Sequence, residues 1–150
     1  MPRFRFRLEA SLRLAEIALD QELRRLAQEV QKLKQLEYER NRCENTWLQA
    51  AAGQRTAGLT SPRDLGIWQK YAENCLKLLR LKEKEVQGQA QTVQKCREAL
   101  AAAHREAEKF RRLKERQLKL FRLAEEKREQ KILDETGQAL YQRAHIENTE

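Results

Sequence analysis

Apolar residues return along this chain at intervals of seven. Leu12, Leu19, Leu26, Leu33 and Trp47 lie on one such ladder, broken only by Arg40. Leu23 and Val30 follow Leu19 and Leu26 by four residues, the step that completes a heptad seam. Beyond Val30 this second ladder meets Glu37 and Glu44, while the apolar stripe moves to Leu36, Cys43 and Ala50. That predicts a local change of phase. The pattern predicts one helix over about residues 8–52. Gly53 to Ser61, read GQRTAGLTS, combines two glycines with small polar residues and predicts a loop. Ser61 before Pro62 has the signature of a helix start. A side-chain oxygen can cap free amides, proline suits the first turn, and Asp64 complements the dipole.

A second helix is predicted over about residues 62–143. Leu79, Val86, Val93, Leu100 and Ala107 form its ladder, and Cys75, Cys96, Ala103 and Phe110 supply part of the companion one. Phe110, Leu113, Leu120 and Ala124 carry an apolar face onward. Gly88 is a soft spot and Gly137 the expected start of fraying. The predicted fold class is all-α: one coiled-coil domain over 1–150, a long two-helix antiparallel hairpin with the second helix longer than the first. At 1.5 Å per residue the first helix is roughly 65 Å long and the second roughly 110 to 125 Å. A short loop returns the chain antiparallel to itself. The first helix then covers the second only to about Ala107, and residues 108–143 overhang.

Composition supports this class. Charged residues make up 36% of the chain, aromatics only 6%, and the two prolines fall at positions 2 and 62, so nothing breaks the long helices. Recurrent leucine at helical spacing argues against disorder despite the charge. The net charge of +8 suits an acidic partner, whether protein, anionic lipid or nucleic acid. Cys43, Cys75 and Cys96 form no CxxC pair and have no adjacent histidine, so they read as small buried hydrophobes in a reducing compartment. No apolar run approaches transmembrane length, and the start, MPRFRFRLEASLRL, has no signal-peptide core. The expectation is a cytoplasmic protein that reaches the membrane only peripherally, through a partner.

Catalytic and cofactor signatures are absent from the sequence. His104 and His145 are isolated, and no phosphate-cradling glycine loop, nucleophile elbow or metal-spaced cluster occurs. No enzyme activity, cofactor or metal is expected. Three stretches suggest binding instead. Lys109, Arg111, Arg112, Lys114, Arg116, Lys119 and Arg122 surround Phe110, Leu113, Leu120 and Phe121, with one acid, Glu115, among them. An uncovered helix of that kind fits an acidic protein groove. Trp47, Trp68 and Tyr71 gather at the turn, either as interface anchors or as a plug for the seam. The N-terminal RFRFR could stack on nucleic acid, but reads better as Phe4 and Phe6 packing on the C-terminal helix with the arginines in water.

Three segments, in this order, resemble the FliJ family, the small coiled-coil component of the flagellar type III export apparatus. They are Phe4-Arg-Phe6-Arg-Leu8 with Leu12 and Leu14, the turn Ala57-Gly58-Leu59-Thr60-Ser61 with its following aromatics, and Glu125 through Glu135. The resemblance implies a hairpin similar to the central stalk of rotary ATPases. It implies three partners: the export ATPase ring, the membrane export gate, and export chaperones. The ATPase-facing end would carry Phe4, Phe6, Arg112, Arg116, Arg128 and Lys131. The gate-facing patch would carry Cys43, Trp47, Tyr71, Cys75, Leu78 and Lys82. The stalk of a virulence secretion system is the nearest alternative. A basic coiled coil that binds nucleic acid is a more distant one, since stacking aromatics are few and no specific nucleic-acid partner is expected.

Overall fold

The computed structural model describes residues 2–149. Helix α1 spans Glu9–Thr60, a 3-10 turn spans Pro62–Asp64, and helix α2 spans Leu65–Glu147. The fold is all-α, an antiparallel hairpin with the second helix longer than the first. Within it two compact units form, one of residues 17–104 and one of residues 1–16 with 105–150.

The predicted loop over 53–61 is helical instead. α1 runs through it to Thr60, and reversal is confined to the four residues that follow. Neither Gly53 nor Gly58 adopts positive φ, so both are helical residues of low propensity rather than breaks. Gly53 is needed for space: a Cβ there would overlap the Trp68 ring. The threonines of this stretch bond back to the helix, Thr56 to the Ala52 carbonyl at 3.0 Å and Thr60 to the Thr56 carbonyl at 2.8 Å. Pro62 ends the helix, because it lacks an amide proton and forces Ser61 out of the helical region, to φ −144° and ψ 79°. Ser61 does not cap as expected. Its hydroxyl donates to Asp64 Oδ2 at 3.0 Å, while the Asp64 amide donates to the Ser61 carbonyl.

In residues 17–104 the helices meet along one seam. Ala72, Cys75, Leu79, Val86, Val93 and Cys96 are buried on α2 at steps of three, four and seven, and Ala50 and Ala57 are buried on α1. Glu39 meets Lys82 and Glu29 meets Gln89, so lower numbers on α1 face higher numbers on α2. The phase of α1 differs from the expectation. Leu23 is 51% exposed, and the second ladder runs through Glu22, Glu29, Leu36, Cys43, Ala50 and Ala57, all buried or half-buried. No change of phase occurs. Leu36, Cys43, Ala50 and Ala57 continue backward by sevens to Glu29 and Glu22, and an unbroken heptad outweighs two glutamates at its edge. Gln89 solvates one of them, donating to Glu29 Oε2 at 2.6 Å and to the Glu29 carbonyl at 3.0 Å. Glu22 Oε2 is buried without a partner.

In the other unit, Leu12 and Ala15 of α1 and Ala107 of α2 are buried, Ala107 completely. The residues before α1 form a strap along α2: Phe6 is buried, and Phe4 lies 5.6 Å from Phe121. Lys114 pairs with Glu9 at 2.9 Å and Arg111 with Glu16 at 3.3 Å. The overhang therefore does not begin at 108. Partial burial continues to Phe121 and Glu125, and every described residue from 126 onward is exposed. An extended residue advances about 3.3 Å and a helical one about 1.5 Å, so each strap residue shields about two residues of helix. Counting the first segment only as helix underestimates its reach.

Candidate functional site

The six residues assigned to an ATPase-facing end all belong to the unit of residues 1–16 and 105–150, but they divide by exposure. Phe6 is buried and Phe4 half-buried, which matches the packing reading of the RFRFR segment. They hold the strap down rather than present a surface. Arg112 projects into solvent, 3.7 Å from Glu108. Arg128 pairs with Glu125 at 3.1 Å. Arg116 and Lys131 are exposed.

The basic stretch from Lys109 to Arg122 is less free than the sequence suggests. Arg111 and Lys114 engage Glu16 and Glu9, and Arg112 engages Glu108. Arg116, Lys119 and Arg122 remain outward beside Leu120, which is exposed. The uncovered part of α2, from 126, is not strongly basic. Lys127, Arg128, Lys131 and Arg143 are outnumbered there by Glu126, Glu129, Asp134, Glu135 and Glu147.

The sequence reading missed what that part does carry. Leu133 (71% exposed), Leu140 and Tyr141 (72%) are large and apolar. With Gly137 and Ala144 they fall at steps of four, three, one and three, one face of a helix. Gly137 leaves a notch in that face, with nothing within 4 Å of where a Cβ would sit. Leu133, Asp134, Gln138 and Tyr141 line the resulting shallow groove, and the Tyr141 ring stacks on His145 at 6.1 Å. The signal was legible in the seven-residue step from Leu133 to Leu140, but Gly137 suggested an end instead.

The six residues assigned to a gate-facing patch lie together in the unit of residues 17–104. Cys75 is buried and packs with Ala50, Ala72 and Trp47. Trp47 and Cys43 are half-buried. These three are turned inward to different degrees, while Tyr71 (47% exposed) and Leu78 (49%) stand outward. Leu81, also exposed, was not anticipated. Trp68 lies across Gly53 and meets Tyr71 edge-on at 6.0 Å. Lys82 is fixed by Glu39 at 2.9 Å and Glu85 at 3.3 Å.

These contacts set the charges. The hydrogen bond from Lys82, then that from Gln35, holds the Glu39 carboxyl below its usual range. The bond from Gln89 does the same for Glu29. Glu39 and then Glu85 raise Lys82. The neighbouring Cys75 thiol, and then desolvation, raise the Tyr71 phenol above its ordinary range. Among the described residues no group of three histidine, cysteine or acidic side chains is placed to hold a metal. Among the described residues no helix is long and apolar enough to cross a membrane.

The residues described so far make this an all-α helical-hairpin protein that displays apolar and charged side chains along its helix faces. The chain belongs to the FliJ family: the family model described as Flagellar FliJ protein matches residues 4–145. Searches among curated proteins and among solved structures find no match. Family membership makes the chain a component of the flagellar export apparatus, in a family whose members are not enzymes.

Proposed function

We propose that the chain is an adaptor of flagellar protein export. It binds the export ATPase ring through the C-terminal part of α2, promotes the ring's assembly and turnover, and links it to the membrane export gate and to export chaperones. The observation that carries this reading is the bare stretch of α2 after Glu125. Every described residue there is exposed, yet an apolar face persists through Leu133, Leu140 and Tyr141. Large apolar side chains held outward along a helix gain by entering a partner's groove. Arg116, Arg128 and Lys131 supply charge beside that face, whereas Phe4 and Phe6 contribute by anchoring the strap.

For the gate, Tyr71 and Leu78 form the contact, with the less exposed Cys43, Trp47 and Cys75 completing the patch. Lys82 is oriented by its two glutamates. On this reading the protein works in the cytoplasm, at the inner face of the membrane, held there by its partners. The family description favours flagellar over virulence export.

The deciding experiment compares the full chain with a truncation after Glu125 in assays of ATPase oligomerisation and turnover. A cut at this point keeps the strap and its partner Phe121, so the hairpin is retained, as circular dichroism would verify. The full chain should stimulate the ATPase and the truncation should not. Equal stimulation by both would remove the bare helix from the mechanism.

A further inference from the structure

The turn end of the unit of residues 17–104 holds apolar side chains that neither the seam nor the gate-facing patch uses. Leu59, in the last turn of α1, is 88% exposed, the highest value among the large apolar residues described. Ile67, in the first turn of α2, is 70% exposed. Only the tight turn at Ser61–Asp64 separates the two helix ends that carry them. Beneath Leu59 a shallow groove is lined by Ala51, Gly58 and Leu65.

Cations outnumber acids around the turn between the two helices. Between Asn45 and Ala72 the chain carries Arg55, Arg63 and Lys70, all exposed, and a single acid, Asp64. Asp64 accepts a hydrogen bond from Ser61, and no ion pair with a carboxylate forms at any of the three cations among the described residues. The bare C-terminal face differs, since Asp134 and Glu135 lie beside Leu133. Two protruding aliphatic side chains with three exposed, unpaired cations near them in the chain match an anionic bilayer surface. The aliphatic groups enter the acyl boundary while arginine and lysine reach headgroup phosphates.

We infer that the turn end, through Leu59 and Ile67 with Arg55, Arg63 and Lys70, binds anionic lipid directly. This does not rest on the export reading, because it needs only the purified chain and a membrane. Since the whole chain is cationic, adsorption alone is insufficient evidence, and insertion at this end must be read. Leu59→Trp places a reporter at the insertion point, on an exposed position that folding does not need.

The test uses full-length protein and phosphatidylcholine vesicles, with and without phosphatidylglycerol, whose acyl chains are brominated. With phosphatidylglycerol, the Leu59→Trp protein should co-sediment and its added tryptophan should be quenched; without it, neither should occur. Leu59→Gln with Ile67→Gln should weaken binding roughly tenfold. Arg55→Gln and Arg63→Gln should each weaken it roughly fivefold. Co-sedimentation without quenching, or unchanged binding by the double glutamine variant, would reduce the effect to charge adsorption and overturn the inference. No binding to anionic vesicles would also overturn it and would leave this end to a protein partner.

Discussion

At the scale of single residues, two glycines inside helices have opposite meanings. Gly88 meets nothing within 4 Å of a Cβ position, whereas a Cβ on Gly53 would overlap Trp68. Gly88→Ala should stabilise the protein by about 0.5–1 kcal/mol, the usual propensity gain, measured by denaturant unfolding. Gly53→Ala receives the same gain but must displace the indole, a cost of about 1–3 kcal/mol for overpacking. It should come out net destabilising, with tryptophan emission shifted to the red as Trp68 moves into water. The hydrogen bonds to charged groups across the seam set the pH dependence. Glu29 and Glu39 are held below their ordinary 4.5, so their contribution is present above that pH and is lost as pH falls through the depressed values. Lys82 is raised above its ordinary 10.5, so its contribution is present below that pH and is lost as pH rises through the raised value. Melting midpoints should form a plateau between these limits, and Glu39→Gln should flatten both shoulders.

At the scale of elements, the phase of α1 is the feature sequence periodicity misassigned. Leucine at 19, 26 and 33 fixed one ladder, but either a three- or a four-residue step could supply its companion. Leu23 and Val30 made four the more apolar choice. The three-residue step wins because it alone continues through Leu36, Cys43, Ala50 and Ala57, and because α2 offers Gln89 to the displaced Glu29. The consequence is measurable. Leu12→Ala, at a side chain only 5% exposed, should cost about 2–5 kcal/mol. Leu23→Ala should cost less than about 1 kcal/mol. Similar losses at both sites would restore the phase inferred from the apolar pattern. The strap is an element the heptad could not reveal, since its residues 2–8 are not helical. Phe6→Ala should cost about 3–5 kcal/mol and expose the stretch of α2 around Phe121 to hydrogen exchange.

At the scale of the whole molecule, the proposed function depends on which parts of α2 lack a covering partner. The stretch from Lys109 to Arg122 looked bare because a helix of the first segment's length could not reach it. The strap and the pairs Glu9–Lys114 and Glu16–Arg111 cover much of it. The uncovered part is shorter, nearly balanced in charge, and apolar on one face. If the chain binds the export ATPase as proposed, binding should fall more steeply on Leu133→Ala with Tyr141→Ala than on neutralising Arg111 and Lys114. Pull-down against the ATPase reads this directly. The mutational order would invert if charge along the covered stretch were the main contact.

By itself the sequence determined the helical class, the antiparallel return, one of the two α1 ladders and most of the α2 seam. It also held the three segments that resemble the family. These are local properties: heptad spacing, the scarcity of breakers, and proline at a single turn act on the chain wherever it lies. Only the tertiary structure decided the second ladder, the helical state of residues 53–60, the strap, and the place where α2 becomes bare. Each of those depends on what the other segment offers at contact: an amide for Glu29, an indole for the space at Gly53, a phenyl ring for Phe4. Periodicity along one strand contains no record of such partners.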